Sequence, residues 1–173
     1  MRGLRLKHTL VAGGILVAAL GLGGAMAVAG EDPAGGEFVP GRSLAGVELG
    51  MTRAEVLATW GTRHGVCRDC ASETWYFNEQ PFQPQGKGVV FERGRVVHAF
   101  TLWQPVGWVT PEGLELGAPA GEIGATYGEL DERACRGYSA LVRAEEDARS
   151  AFYAYEDEVW GFGLVRPGRS PCL

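Results

Sequence analysis

Histidine is scarce in this 173-residue chain: there are three, and only His64 and His98 lie beyond the first thirty residues. Gly-x-Ser-x-Gly elbows, His-Glu-x-x-His pairs and phosphate-cradling glycine loops are all missing, which removes the commonest sequence marks of hydrolase, metalloprotease and nucleotide chemistry. Lysine is rarer still, with Lys7 and Lys87 the whole complement. No cysteine directly follows the first apolar run, so a lipoprotein anchor is not expected. No coordinating ladder surrounds Glu145-Glu146-Asp147, so that acidic run reads as a solvated turn and not as a calcium loop.

What is present begins with an address. Arg2, Arg5 and Lys7 precede an uncharged run from Thr9 to Gly30 that closes on Ala25-Met26-Ala27-Val28-Ala29, two overlapping small-x-small cleavage sites. Residues 1–29 therefore read as a secretory signal peptide. The alternative is an uncleaved anchor, because the run approaches the ~20 residues that span a bilayer. Past residue 29 the chain holds 13 basic against 21 acidic residues, a net charge of −8. Such a charge repels nucleic acid and anionic lipid, so neither is expected as a partner beyond the membrane contact of the signal segment. Arginine in place of lysine, with abundant Ala and Gly, points to a G+C-rich bacterial genome.

The rest of the chain is organised around one stretch that returns. Gly46 to Gly61 reappears 67 positions later as Gly113 to Gly128, without a gap and with Gly46/113, Glu48/115, Leu49/116, Gly50/117, Glu55/122, Ala58/125, Thr59/126 and Gly61/128 identical. This is the mark of a tandem repeat. In the first copy Thr52 and Glu55 have capping-box spacing and Gly61 sits where a helix stop belongs. In the second, Pro119 stands at a first helical position and Gly128 is the stop. Val56, Leu57 and Trp60, with Ile123 and Tyr127 opposite, give each helix one apolar stripe. Three strands are expected after each helix: 74–78, 88–92 and 95–103 in the first copy, and 138–143, 151–155 and 158–165 in the second. Alternation puts His98, Phe100 and Leu102 on one face, with Trp160, Phe162 and Leu164 on the equivalent face, all read as core beneath the helices. Gly161 and Gly163, on the opposite face, leave room for a close approach.

The expected fold class is thus α+β: two tandem modules, each a short helix packed on a three-stranded antiparallel sheet. The boundaries are a signal peptide at 1–29, a flexible tether at 30–42, a first repeat at 43–104, a linker at 105–112 and a second repeat at 113–173.

Leu49-Gly50-Met51-Thr52-Arg53-Ala54-Glu55-Val56-Leu57, a following glycine, an aromatic strand and a Val-Phe-x-x-Gly-x-Val hairpin resemble the repeat of the secreted beta-lactamase inhibitor protein family. They are also similar to the small outer-membrane assembly lipoproteins of the SmpA/OmlA type. The resemblance spans residues 43 to about 166 and implies tandem α+β units whose sheets form a curved surface that binds a protein. The second copy departs from the pattern at Ala118-Pro119.

Four cysteines, Cys67, Cys70, Cys135 and Cys172, read in an exported chain as two disulfides. Cys67 with Cys70 and Cys135 with Cys172 is the favoured pairing; a cross-pairing between copies is the alternative. Cys67-x-x-Cys70 also has the spacing of a thiol oxidoreductase. With His64 and Cys135 it offers metal-ligand types at workable distances. Aromatic residues supply the candidate binding surface: Trp103 and Trp108 in the linker, Phe82 in a Pro/Gln loop, and Trp75 with Phe77 on one strand face. The sequence is accordingly read as a secreted bacterial protein-binding module, inhibitor-like or an envelope scaffold. Its expected partner is another extracellular or envelope protein, and neither catalysis nor a cofactor is expected. The competing reading is a thiol-redox or metal-binding protein centred on Cys67 and Cys70.

Overall fold

The computed structural model describes residues 35–77, 86–102 and 107–173. In chain order the elements are β1 (Gly36–Val39), β2 (Ser43–Leu44), α1 (Arg53–Trp60), β3 (Gly65–Val66), β4 (Glu73–Tyr76), β5 (Gly86–Glu92), β6 (Arg95–Leu102), β7 (Trp108–Val109), α2 (Gly121–Tyr127), β8 (Asp131–Ala134), β9 (Ser139–Ala144), β10 (Arg149–Tyr155) and β11 (Glu158–Val165). The signal segment lies outside the described residues. Part of the stretch read as a tether is β1, and part of the linker is β7.

Local chemistry sets the helix ends. Thr52 caps α1: its hydroxyl accepts from the Glu55 backbone N–H, and the Glu55 carboxylate accepts from the Thr52 N–H at 2.6 Å. The Thr52 N–H and the Thr52 hydroxyl, which donates to the same carboxylate at 2.8 Å, both favour the ionised Glu55, so its pKa lies below the usual carboxylate value. Gly61 ends the helix at φ 88°. Replacing Thr52 with Ala leaves first-turn donors without a side-chain acceptor and is expected to cost about 1 kcal/mol, read as a lower urea midpoint at unchanged slope. α2 lacks such a cap: Ala120 takes the N-cap position without a side-chain bond, and the helix opens at Gly121, two residues past Pro119.

The expected pair of α+β modules, each with its own three-stranded sheet, does not form. The chain is mostly β, and a single antiparallel eight-stranded sheet runs β3-β4-β5-β6-β11-β10-β9-β8, with a three-stranded sheet β2-β1-β7 beside it. Two things make the difference. The short strands β3 and β8 add one strand at each outer edge, and β6 pairs directly with β11, Phe100 opposite Gly163 and Leu102 opposite Gly161. The first half of the sheet therefore passes into the second without an edge.

One face of this sheet carries the helices. Val56 and Trp60 of α1, Ile123 of α2 and Phe38 of β1 bury against Val89, Phe91, Ala99, Phe152, Phe162 and Leu164. Phe38 stacks on Phe162 at 5.2 Å and meets Phe152 edge-on at 5.7 Å. Each such fully buried ring contributes about 1.5–3 kcal/mol of transfer free energy.

The row His98, Phe100 and Leu102 lies on the other face, not beneath the helices. Phe100 and Leu102 pack there with Ala140, Val142, Ala151, Tyr153 and Val165. Phe162 and Leu164 do face the helices, but Trp160 falls out of their row. The register shift between Tyr153 and Ala154 pairs them with Gly161 and Val159 and leaves Trp160 as the extra residue of a bulge. The approach that Gly161 and Gly163 permit is internal: a Cβ on Gly163 would sit 2.4 Å from the Tyr153 hydroxyl oxygen, and one on Gly161 would sit 2.2 Å from the Thr101 carbonyl oxygen. Residues 166–173 then cross this face, starting from the Arg166 N–H donated to the Val97 carbonyl at 2.9 Å.

Candidate functional site

Of the aromatic residues singled out from the sequence, the three that are described, Trp75, Phe77 and Trp108, are buried. Trp75 and Phe77 are 7% and 6% exposed, because alternation along β4 turns them inward under α1. There Trp75 meets Phe91 at 4.8 Å and Phe77 meets Trp60 at 5.2 Å. Trp108 is 1% exposed and belongs to the same core, its indole N–H without a hydrogen-bond partner among the described residues. None of the three is available to a partner. Phe82 and Trp103 lie outside the described residues.

The cysteines are joined as Cys67–Cys70 and Cys135–Cys172. Cys67 follows β3, and its N–H donates to the Thr74 carbonyl at 2.9 Å. The pair thus lies in a strand-to-strand loop and not at a helix N-terminus, the setting that lowers a thiol pKa in dithiol oxidoreductases. His64 stacks on Trp75 at 4.1 Å between ring centroids. Among the described residues no three His, Cys, Asp or Glu side chains converge as metal ligands.

A different aromatic group reaches the surface. Trp160, displaced by its bulge, lies 5.2 Å from Tyr138 and 5.8 Å from Tyr155, and Tyr155 is 43% exposed. Tyr138 and Tyr155 also line a groove of about 630 Å³ with Leu141 and Ala154 in it and Glu132, Glu156 and Asp157 among its walls. The Tyr155 phenol is bonded to Glu156, which together with that residue's charge holds its pKa above 10. Glu156 and Asp157 form the hairpin turn between β10 and β11 with φ of 46° and 65°. The matching turn between β5 and β6 uses Arg93 and Gly94. A two-residue turn with both φ positive favours Asn-Gly, and two side-chain-bearing acids in that conformation are strained. The sequence signal for this site was the pair Glu156-Asp157 at a tight turn, where glycine or asparagine is the ordinary choice.

On the tail-covered face a buried relay fixes the residues after β11. His98 Nε2 lies 2.9 Å from the Tyr153 hydroxyl, and that hydroxyl donates to the Pro171 carbonyl at 2.9 Å. The phenol has one proton, so His98 must be the donor and carries its proton on Nε2. Burial, reinforced by the Arg169 charge, lowers the His98 pKa to about 3. Desolvation holds the Tyr153 phenol well above its ordinary value.

No protein-family model and no curated protein matches the chain. Among solved structures it is similar to an extracellular protein containing a SCP domain from Bacillus anthracis str. Ames, with a TM-score of 0.47 and 15% identity over 69% of this chain and 44% of that one. The chain spans less than half the length of that protein.

Proposed function

We propose that this is an extracytoplasmic protein that works by binding another protein, and that it offers the Tyr138–Trp160–Tyr155 strip and the adjoining acidic groove to a basic segment of its partner. The two disulfides support an oxidising compartment. The observation that carries the binding reading is the strained turn. Glu156 and Asp157 keep carboxylates on the groove in a backbone conformation that Asn-Gly would hold at lower cost. Strain retained at a surface of part-exposed aromatics fits a site selected for contact. Arginine and lysine complement it twice, by charge and by their attraction to ring faces.

The test joins two readouts. The double variant Glu156→Asn, Asp157→Gly relieves the turn and is expected to raise stability by about 1–2 kcal/mol while weakening the partner. Trp160→Ala is expected to weaken it about 30-fold, the ~2 kcal/mol of a central aromatic contact. The disulfide-bonded protein is immobilised and offered its own secreted and envelope proteins, and the affinity of whatever is retained is measured for each variant. Retention that is absent, or indifferent to Trp160→Ala and to the turn variant, would sink the proposal.

A further inference from the structure

A second cavity, of about 310 Å³, lies between the Cys67–Cys70 loop and the residues after β11. It shares no lining residue with the groove above, so it stands independently of the partner-binding reading. Its apolar wall is Tyr76, Val90 and Phe100, with Tyr76 and Phe100 edge-to-face at 5.9 Å. Phe100 can lie flat on the sheet because position 88 is glycine: a Cβ there would stand 2.5 Å from the ring's Cζ.

The polar side is built. Arg169 lines the cavity, and its guanidinium bonds Glu92 at 2.9 Å and the Ser72 hydroxyl at 3.4 Å. Glu92 also accepts from Arg166, so two guanidiniums share one carboxylate and the cluster keeps one positive charge in a strongly acidic chain. His98, on the same wall, is buried and neutral above about pH 3 and adds no charge. Cys70 and Cys172 both line the cavity, each tied by its own disulfide, so two points of its wall are fixed before any ligand arrives. An apolar pocket with one convergent cationic group on a pre-formed frame is the usual form of a small-molecule site.

We propose that this cavity binds a small carboxylic acid with an aromatic or branched apolar body, its carboxylate on Arg169 and its body against Tyr76, Val90 and Phe100. A planar ring extends the edge-to-face set already present. The same chemistry is presented by a free aromatic acid and by the C-terminal residue of a peptide.

The test titrates the intact disulfide-bonded protein with benzoate, N-acetyl-phenylalanine and the neutral benzyl alcohol, following backbone amide shifts by NMR. Saturable binding of at least one acid, in the millimolar range or tighter as ligand size dictates, is expected to perturb Thr74, Val90 and Ser170. Preference for benzoate identifies a free acid as the source, and preference for N-acetyl-phenylalanine identifies a peptide terminus; either supports the site. Arg169→Gln is expected to weaken the acids at least tenfold and to leave benzyl alcohol unchanged. Ala71→Trp, made at an exposed lining position so that folding is not at risk, is expected to abolish all binding. No saturable shift with either acid, benzyl alcohol binding as tightly as benzoate, or acids indifferent to Arg169→Gln would each overturn the proposal.

Discussion

Between pH 6.5 and 4.5 the domain is expected to lose about 1.4 kcal/mol of stability per pH unit through His98 alone. The sign follows from the two states. Unfolded, His98 titrates near 6.5; folded, near 3. Well above pH 6.5, from about pH 7.5, neither form is protonated and the residue makes no pH-dependent contribution. Below it the unfolded chain takes up a proton that the folded chain refuses, and each further unit of acid favours unfolding until pH about 3, where the folded imidazole also protonates. The full window is worth on the order of 5 kcal/mol, a large part of a domain's total stability. The surroundings of the ring explain the refusal: Nε2 already carries the proton it donates to Tyr153, a second proton would leave a buried positive charge out of water, and Arg169 repels that charge. Carboxylates with lowered pKa, Glu55, Glu73 and Glu112, contribute stability present above their unfolded value of about 4.5 and lost below it. The range from 6.5 to 4.5 thus isolates the histidine. Urea titrations at half-unit steps should show a falling midpoint in the wild type and a nearly flat one in His98→Gln, whose amide can still donate to Tyr153. Equal slopes in both proteins would show that His98 protonates freely in the fold.

Loss of the Cys135–Cys172 bridge should cost about 4 kcal/mol, against about 2 kcal/mol for Cys67–Cys70, because the sequence separations of 37 and 3 close very different loops in the unfolded chain. The long bridge also holds residues 166–173 against an apolar face that includes Phe100 and Tyr153. Paired Cys→Ser variants at each bridge, compared by denaturant midpoint, test the difference. Binding of an environment-sensitive dye adds a structural readout: it should rise only when Cys135 and Cys172 are replaced. If both pairs cost the same and neither raises dye binding, the Tyr153–Pro171 and Arg166–Glu92 contacts hold the segment without the sulfur link.

What the sequence disclosed was local. Thr52 and Glu55 announce a capping box because both partners sit within one turn, and the β5–β6 and β10–β11 hairpins announce themselves by alternation across tight turns. The joining of the sheet was hidden, since β6 and β11 pair across a long stretch of chain and no short-range pattern encodes that contact. The edge strands were hidden for other reasons: Gly65–Val66 is too short to show a period, and Asp-Glu-Arg-Ala in β8 is exposed at all four positions and reads as loop. Exposed charge on a free edge resists unwanted strand pairing, so the feature that protects β8 also conceals it. Trp75, Phe77 and Trp108 were expected at the surface and are buried, because their burial depends on elements packed over them in space, whereas half-buried Trp160 leaves its row through one bulge.

The pairing of β6 with β11 also governs the order in which the molecule can be completed. Until Glu158–Val165 is synthesised, β6 has hydrogen-bonding groups open along one side, and Phe38 lacks both Phe152 and Phe162. The first half is therefore an unfinished sheet, and the nucleus must bring together strands remote in sequence, a topology of high contact order and slow, millisecond-to-second folding. A chain whose sheet is joined only through its last strand carries an open strand edge in its middle until that strand is made. A truncation before β11 would leave an open edge that templates aggregation.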